Sequence, residues 1–163
     1  MTHSPKNHPK NLAEEIGKSR PFDLPAQEAY LNLVRSKSIL SEHFEGLFRK
    51  HDLTESQYNV LRIVASAESR GIRIEAIRLR LVERGPDVSR IIDRLQRRSL
   101  VQRVIDPEDR RARRIVLEEA GGQLLGHLRP EIDRVHREHL SHLTEAEIDA
   151  LNQILFRARH PER

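Results

Sequence analysis

Apolar positions recur at threes and fours along most of the chain, and each recurrence predicts a helix with one buried face. From Pro25 to His51 the set is Tyr30, Leu33, Val34, Leu40, Phe44, Leu47 and Phe48, enough for one long helix. Thr54 and Gln57 then form a capping-box pattern, which predicts a second helix running to about Ala67 with Tyr58, Leu61, Ile63 and Val64 inside. From Gly71 to Leu81 the pattern supports two answers, because Ile77, Leu79 and Leu81 alternate while Ile74, Ile77 and Leu81 have helical spacing. Val88, Ile91, Ile92 and Leu95 make a narrow stripe on the next helix, for which Gly85 and Pro86 suit the cap and first position.

The period changes at Leu100. Leu100 to Ile105 and Arg113 to Leu117 read as two strands, joined by a turn from Asp106 to Ala112. Helical spacing returns from Glu119 to Leu143 with Leu124, Leu125, Leu128, Ile132, Val135 and Leu140 facing inward and a kink expected near Arg129, before Pro130. A second capping box, Thr144 with Glu147, opens a last helix striped by Ile148, Leu151, Ile154 and Leu155. Residues 1–24 form a basic, polar arm without sustained periodicity and are expected to be disordered.

The stretch from Gly85 to Leu117 carries the candidate chemistry. Opposite its apolar stripe the helix presents Asp87, Ser89, Arg90, Asp93, Arg94 and Arg97, side chains able to reach phosphates and base edges. Taken alone, that face reads better as a solvated one laced by pairs such as Asp93 with Arg97. The turn that follows alters the balance, because Arg110, Arg111, Arg113 and Arg114 crowd a hairpin tip with nothing apolar to bury. Arginine on a thin hairpin is suited to a minor groove, where narrow walls concentrate negative potential.

The helix pattern Val88-Ser89-Arg90-x-x-Asp93-Arg94-Leu95, then Leu100-Val101-x-Arg103, then Asp106-Pro107-Glu108-Asp109-Arg110-Arg111-Ala112 before Leu117, resembles the multiple antibiotic resistance regulator (MarR) family. The resemblance spans about Ala26 to His160. It implies a mainly α fold with a small β wing: a winged helix-turn-helix DNA-binding lobe at residues 54–117, within a single domain at 25–160 whose helices at 25–51 and 119–160 dimerise. It also implies a transcriptional regulator, a ligand-responsive repressor acting as a homodimer on a palindromic double-stranded DNA operator. The implied DNA-binding set is Pro86, Asp87, Ser89, Arg90, Arg94, Arg97, Asp109, Arg110, Arg111 and Arg113, with Arg111 probing the minor groove and Asp109 orienting a wing arginine. The resemblance favours a short strand near Ile72 followed by a helix. It places His43, Phe44, Leu47 and His127 at a cleft for a small anionic or aromatic effector.

Three positions depart from the family pattern. Ser99 stands where Gly is usual, Glu118 where Thr or Ser is usual, and Arg73 where a Thr or Ser helix cap is usual. Ser adopts positive φ less freely than Gly, and each missing cap forgoes about 1 kcal/mol.

Composition narrows the alternatives. Of 163 residues 33% are charged and 4% aromatic, with no Trp, so the core must be built from Leu, Ile and Val. Residues 70–114 hold fourteen arginines and seven acids, a net +7 against +4 for the whole chain, leaving −3 elsewhere. Basic charge is thus concentrated on the lobe expected to meet DNA. The absence of Cys excludes disulfides, thiolate metal sites and cysteine-based redox sensing, and no apolar run is long enough to span a membrane, so the cytoplasm is the expected compartment. No motif supplies a nucleophile with its base or a phosphate loop, and Gly121-Gly122 opens none, so no enzymatic role or cofactor is expected. His127, His136, His139 and His142, with His43, offer imidazoles for a metal, but steps of three drift around a helix and zinc needs three or four convergent donors; no metal site is assigned. Two other functions remain: a low-specificity chromatin-type DNA binder, and a helical protein-interaction module, which would have a wing poor in arginine.

Overall fold

Side-chain caps set several of the helix starts. In the computed structural model, which describes residues 9–83 and 85–161, the chain runs through α1 (Leu12–Glu15), α2 (Pro25–Arg49), α3 (Glu55–Ala65), a 3-10 turn (Glu68–Arg70), β1 (Ile72–Arg73), α4 (Ile74–Arg80), α5 (Val88–Arg97), β2 (Val101–Ile105), β3 (Arg113–Leu117), α6 (Glu119–His139) and α7 (Glu145–Arg159). Both capping boxes form: Thr54 and Gln57 open α3, and Thr144 and Glu147 open α7. The helix expected to begin at Gly85 and Pro86 instead takes Asp87 as its cap, whose carboxylate accepts the Arg90 N–H at 3.2 Å, and its first helical residue is Val88. Aspartate satisfies an orphan amide that glycine cannot, so the cap moves two residues along.

Other boundaries also shift. The ambiguous stretch becomes a two-residue strand and a helix, because burying Ile77 completely leaves Leu79 on the outer face, 88% exposed. Helix α6 runs through Pro130 and ends at His139, four residues short of the sequence expectation. Within the arm expected to be disordered, residues 1–8 lie outside the described part, and Asn11 caps the short α1 by accepting from Glu14 N–H at 3.0 Å.

The described chain forms two compact units, divided within α2 between Glu42 and His43. In the first, Arg35 pairs with Glu15 at 2.9 Å, and Tyr30, Leu33, Val34 and Ile39 are exposed. The second holds the main core, where Val60, Leu61, Val64, Ile77, Val88, Ile92, Leu95, Val101, Ile115 and Leu128 are essentially removed from solvent. The apolar stripe of α5 therefore faces inward as a whole, and its polar face is left outward.

The sheet has order β1-β3-β2, antiparallel throughout, with Ile72 opposite Ile115, Arg103 opposite Ile115 across the other edge, and Ile105 opposite Arg113 at the wing. Two glycines permit close approaches around it. Gly71 has φ +64°, and a Cβ there would lie 2.6 Å from Val116 Cγ1 and 2.9 Å from the Ile115 carbonyl. At Gly121 a Cβ would lie 2.3 Å from the Leu100 carbonyl oxygen, the same oxygen that accepts from Glu118 N–H at 3.1 Å. The start of α6 is thus seated directly on the turn leaving α5.

The three departures noted in the sequence have local consequences. Ser99 is held at φ 54°, and neither Arg73 nor Glu118, the cap positions of α4 and α6, makes a side-chain cap hydrogen bond. Replacing Ser99 by Gly should relieve the left-handed strain and raise unfolding stability by about 0.5 to 1 kcal/mol. Chemical denaturation measures this directly, and an equal loss would show that the Ser99 conformation carries no strain.

Candidate nucleic-acid interface

The wing is built on a buried carboxylate. Asp106 has no solvent exposure; its Oδ2 accepts from Arg73 Nε at 2.6 Å, and its Oδ1 accepts from the Glu108 N–H at 3.0 Å. Arg114 Nε stands 3.0 Å from the same Oδ2, an ion pair whose N–H direction misses hydrogen-bond alignment. Arg114, followed by the Glu108 amide and Arg73, holds the carboxyl well below the ordinary aspartate range, against the opposing effect of burial. One group thereby joins β1, the end of β2 and β3. Arg114 also reaches Glu108 at 3.2 Å, and its side chain is only 19% exposed, so this arginine of the hairpin belongs to the wing's foundation.

At the tip, Asp109 acts on Arg111 through the main chain. Its carboxylate accepts the Arg111 N–H at 3.0 Å, and its carbonyl accepts the Ala112 N–H at 2.9 Å, a compact turn that fixes the backbone below the Arg111 side chain. Arg113 Nη1 folds back onto the carbonyls of Arg110 and Ala112 at 3.2 and 3.1 Å. Arg110 and Arg111 are exposed, and neither guanidinium has a carboxylate partner among the described residues.

Helix α5 is tied to the wing by Arg103. Arg103 of β2 reaches across to Asp93 at 2.6 Å and to Gln96 Oε1 at 2.6 Å, which replaces the Asp93–Arg97 pairing that the sequence suggests. Asp87 is the helix cap and pairs with Arg90 at 3.2 Å, both side chains more than half exposed; such a pair is weak in water and leaves Arg90 able to swing outward. Ser89 sits 3.4 Å from Arg78 Nη2 of α4. Pro86 precedes the cap and is half-buried, while Arg94 and Arg97 are exposed without an acidic partner among the described residues.

The expected effector residues separate. Leu47 is buried in the core. Phe44 lines a cavity of about 100 Å³ with Phe48, Tyr58, Ile132 and His136, and its ring lies 4.8 Å from that of His136 and 5.4 Å from that of His139. His43 stacks edge-on against His139 at 4.6 Å. Burial, then the neighbouring His43 and His136, pushes the His139 pKa down, which favours the neutral form of that imidazole. His127 lies elsewhere, with its ring 5.5 Å from that of His51. His51 and Glu131 complete a convergent trio with His127; Glu131 stands one turn along the same helix, whereas His51 comes from another element and so escapes a reading of the sequence.

The depressed pKa of Asp106 gives a pH signature. Because its folded value is below the unfolded value of about 3.9, the contribution to stability is complete above that pH and is lost as pH falls toward the folded value. Asp106→Asn should lower stability at pH 7 and flatten the loss that the parent shows on acidification below about pH 4. Urea midpoints for both proteins across that range check this; parallel acid limbs would remove Asp106 as the anchor.

A protein-family model described as MarR family matches residues 51–112, which include α3 to the wing tip. The transcriptional regulator HosA of Escherichia coli O111:H- is 32% identical over 131 residues, covering 75% of this chain and 94% of that protein. The homoprotocatechuate degradative operon repressor of Escherichia coli is 25% identical over 123 residues, covering 76% and 82%. A crystal structure of a MarR transcription factor from Planctomyces limnophilus is 36% identical and superimposes with a TM-score of 0.64, covering 83% of this chain and 98% of that one. With its basic wing, its outward polar helix face and these relatives, the chain belongs to the MarR family of winged-helix, DNA-binding transcriptional regulators.

Proposed function

We propose that the protein is a ligand-responsive repressor that binds a palindromic operator as a homodimer, with α5 in the major groove and the wing tip in the minor groove. The carrying observation is how the arginines divide. Arg73, Arg98, Arg103 and Arg114 bond to the protein itself, whereas Arg94, Arg97, Arg110 and Arg111 have no acidic partner among the described residues. In this reading Ser89, Arg90 and Arg94 contact base edges, Arg97 and Arg110 contact phosphates, and Arg111 enters the minor groove. Asp87, Pro86, Asp109 and Arg113 shape the surfaces that present them.

Dimerisation is supported by unpartnered apolar faces. Helix α7 buries no residue and leaves Leu151, Ile154 and Phe156 exposed, and α2 leaves Tyr30, Leu33 and Val34 exposed within its own unit. A second copy of the chain covers such faces symmetrically and gives two recognition helices about 34 to 36 Å apart. Repression fits the E. coli operon repressor among its relatives. The aromatic lining around Phe44, Phe48 and Tyr58 suits a small aromatic effector, which alters DNA affinity only by preferring one conformation.

The test is a DNA titration over a salt series, using a site selected from a random pool and an unrelated duplex. Two chains should bind per selected site. Arg111→Ala should weaken binding to both duplexes and flatten the log-log salt slope by about one unit for each phosphate no longer neutralised. Arg94→Ala should cost about 1 to 3 kcal/mol, mainly on the selected site. Equal losses on both duplexes for Arg94→Ala would favour a low-specificity binder, and an unchanged slope for Arg111→Ala would remove the wing from the interface.

A further inference from the structure

A second cluster lies away from the basic face. His51 stands in the turn after α2, while His127 and Glu131 are one helical turn apart on α6 and so share a face. One ligand atom from each of the three lies within 4.8 Å of the others. Among the described residues this is the one such convergence of histidine and carboxylate. His51 and Glu131 are half-buried and His127 is exposed, so the trio is both positioned and reachable from solvent.

We propose that His51, His127 and Glu131 form a binding site for a divalent transition metal of the zinc class, which clamps α6 to the turn between α2 and α3. Two imidazoles favour such ions over magnesium or calcium, which take oxygen donors. Donors around tetrahedral zinc stand about 3.3 Å apart, given bonds of about 2.0 to 2.1 Å, so side-chain rotation of the exposed His127 closes most of the gap. Three protein ligands leave a fourth position open to water or an exogenous anion.

The site's position gives the clamp a consequence. The His51 carbonyl accepts from Arg98 Nη2 at 3.0 Å and the Asp52 carbonyl from Arg98 Nη1 at 2.6 Å. Arg98 is the C-terminal cap of α5. A metal that fixes this turn therefore restrains the residues that hold the end of the DNA-facing helix, through two hydrogen bonds and without touching DNA.

Titration of metal-stripped full-length protein with Co²⁺, followed by its d–d absorption, and with Zn²⁺, followed by thermal unfolding, tests the proposal. The parent should bind one ion per chain with an imidazole-ligand spectrum and should unfold at a higher temperature with Zn²⁺. His127→Ala and the near-isosteric Glu131→Gln should each weaken Co²⁺ binding at least tenfold and lose the Zn²⁺ shift, while His136→Ala, outside the trio, should retain both. Circular dichroism of the metal-free variants separates loss of a ligand from loss of the fold. No binding by the parent, or equal binding by parent, His127→Ala and Glu131→Gln, would overturn the site.

Discussion

A single buried carboxylate organises the winged part of this protein. Asp106 is removed from water, and that is tolerable only because Arg73, Arg114 and the Glu108 amide surround its two oxygens. Those partners come from β1, β3 and the wing turn, so the charge can be satisfied only when the sheet is assembled and the wing stands up from it. Arg103 makes the corresponding link on the other side, from β2 to Asp93 and Gln96 of α5. The two networks hold the hairpin and the helix in one relative geometry, leaving the arginines at Arg94, Arg97, Arg110 and Arg111 facing solvent.

This division of labour among like residues is where sequence and structure part. The stripe Val88, Ile91, Ile92 and Leu95 announces both the helix and its outward face, and the same residues are buried in the core. The two capping boxes are equally local and legible, since their partners stand three residues apart. Along the sequence, however, Arg110, Arg111, Arg113 and Arg114 look alike. What separates Arg114 from Arg111 is Asp106 and a strand register that places β3 between its two neighbours, and Arg73 comes to the same carboxylate from 33 residues away. Local pattern carries no trace of such a contact.

The start of α5 shows a competition that propensity leaves open. Gly85-Pro86 is a suitable helix entry, but Asp87 supplies an acceptor for an otherwise unpaired amide and prevails. Its carboxylate is thereby engaged locally, by the Arg90 amide and guanidinium. Similarly, spacing alone treats the histidines along α6 as one group, whereas the fold sorts them by depth. His136 and His139 join the aromatic cluster at Phe44, and His127 joins His51 from another element.

Asp106 is thereby expected to govern DNA binding without contacting DNA, by holding the wing in place. The most direct measurement is the affinity of Asp106→Asn for a selected duplex at pH 7, under conditions where circular dichroism and sedimentation show the variant folded. The expected result is a loss comparable to that caused by removing the Arg111 side chain, on selected and unrelated DNA alike. A folded Asp106→Asn protein that binds both duplexes as tightly as the parent would contradict this role.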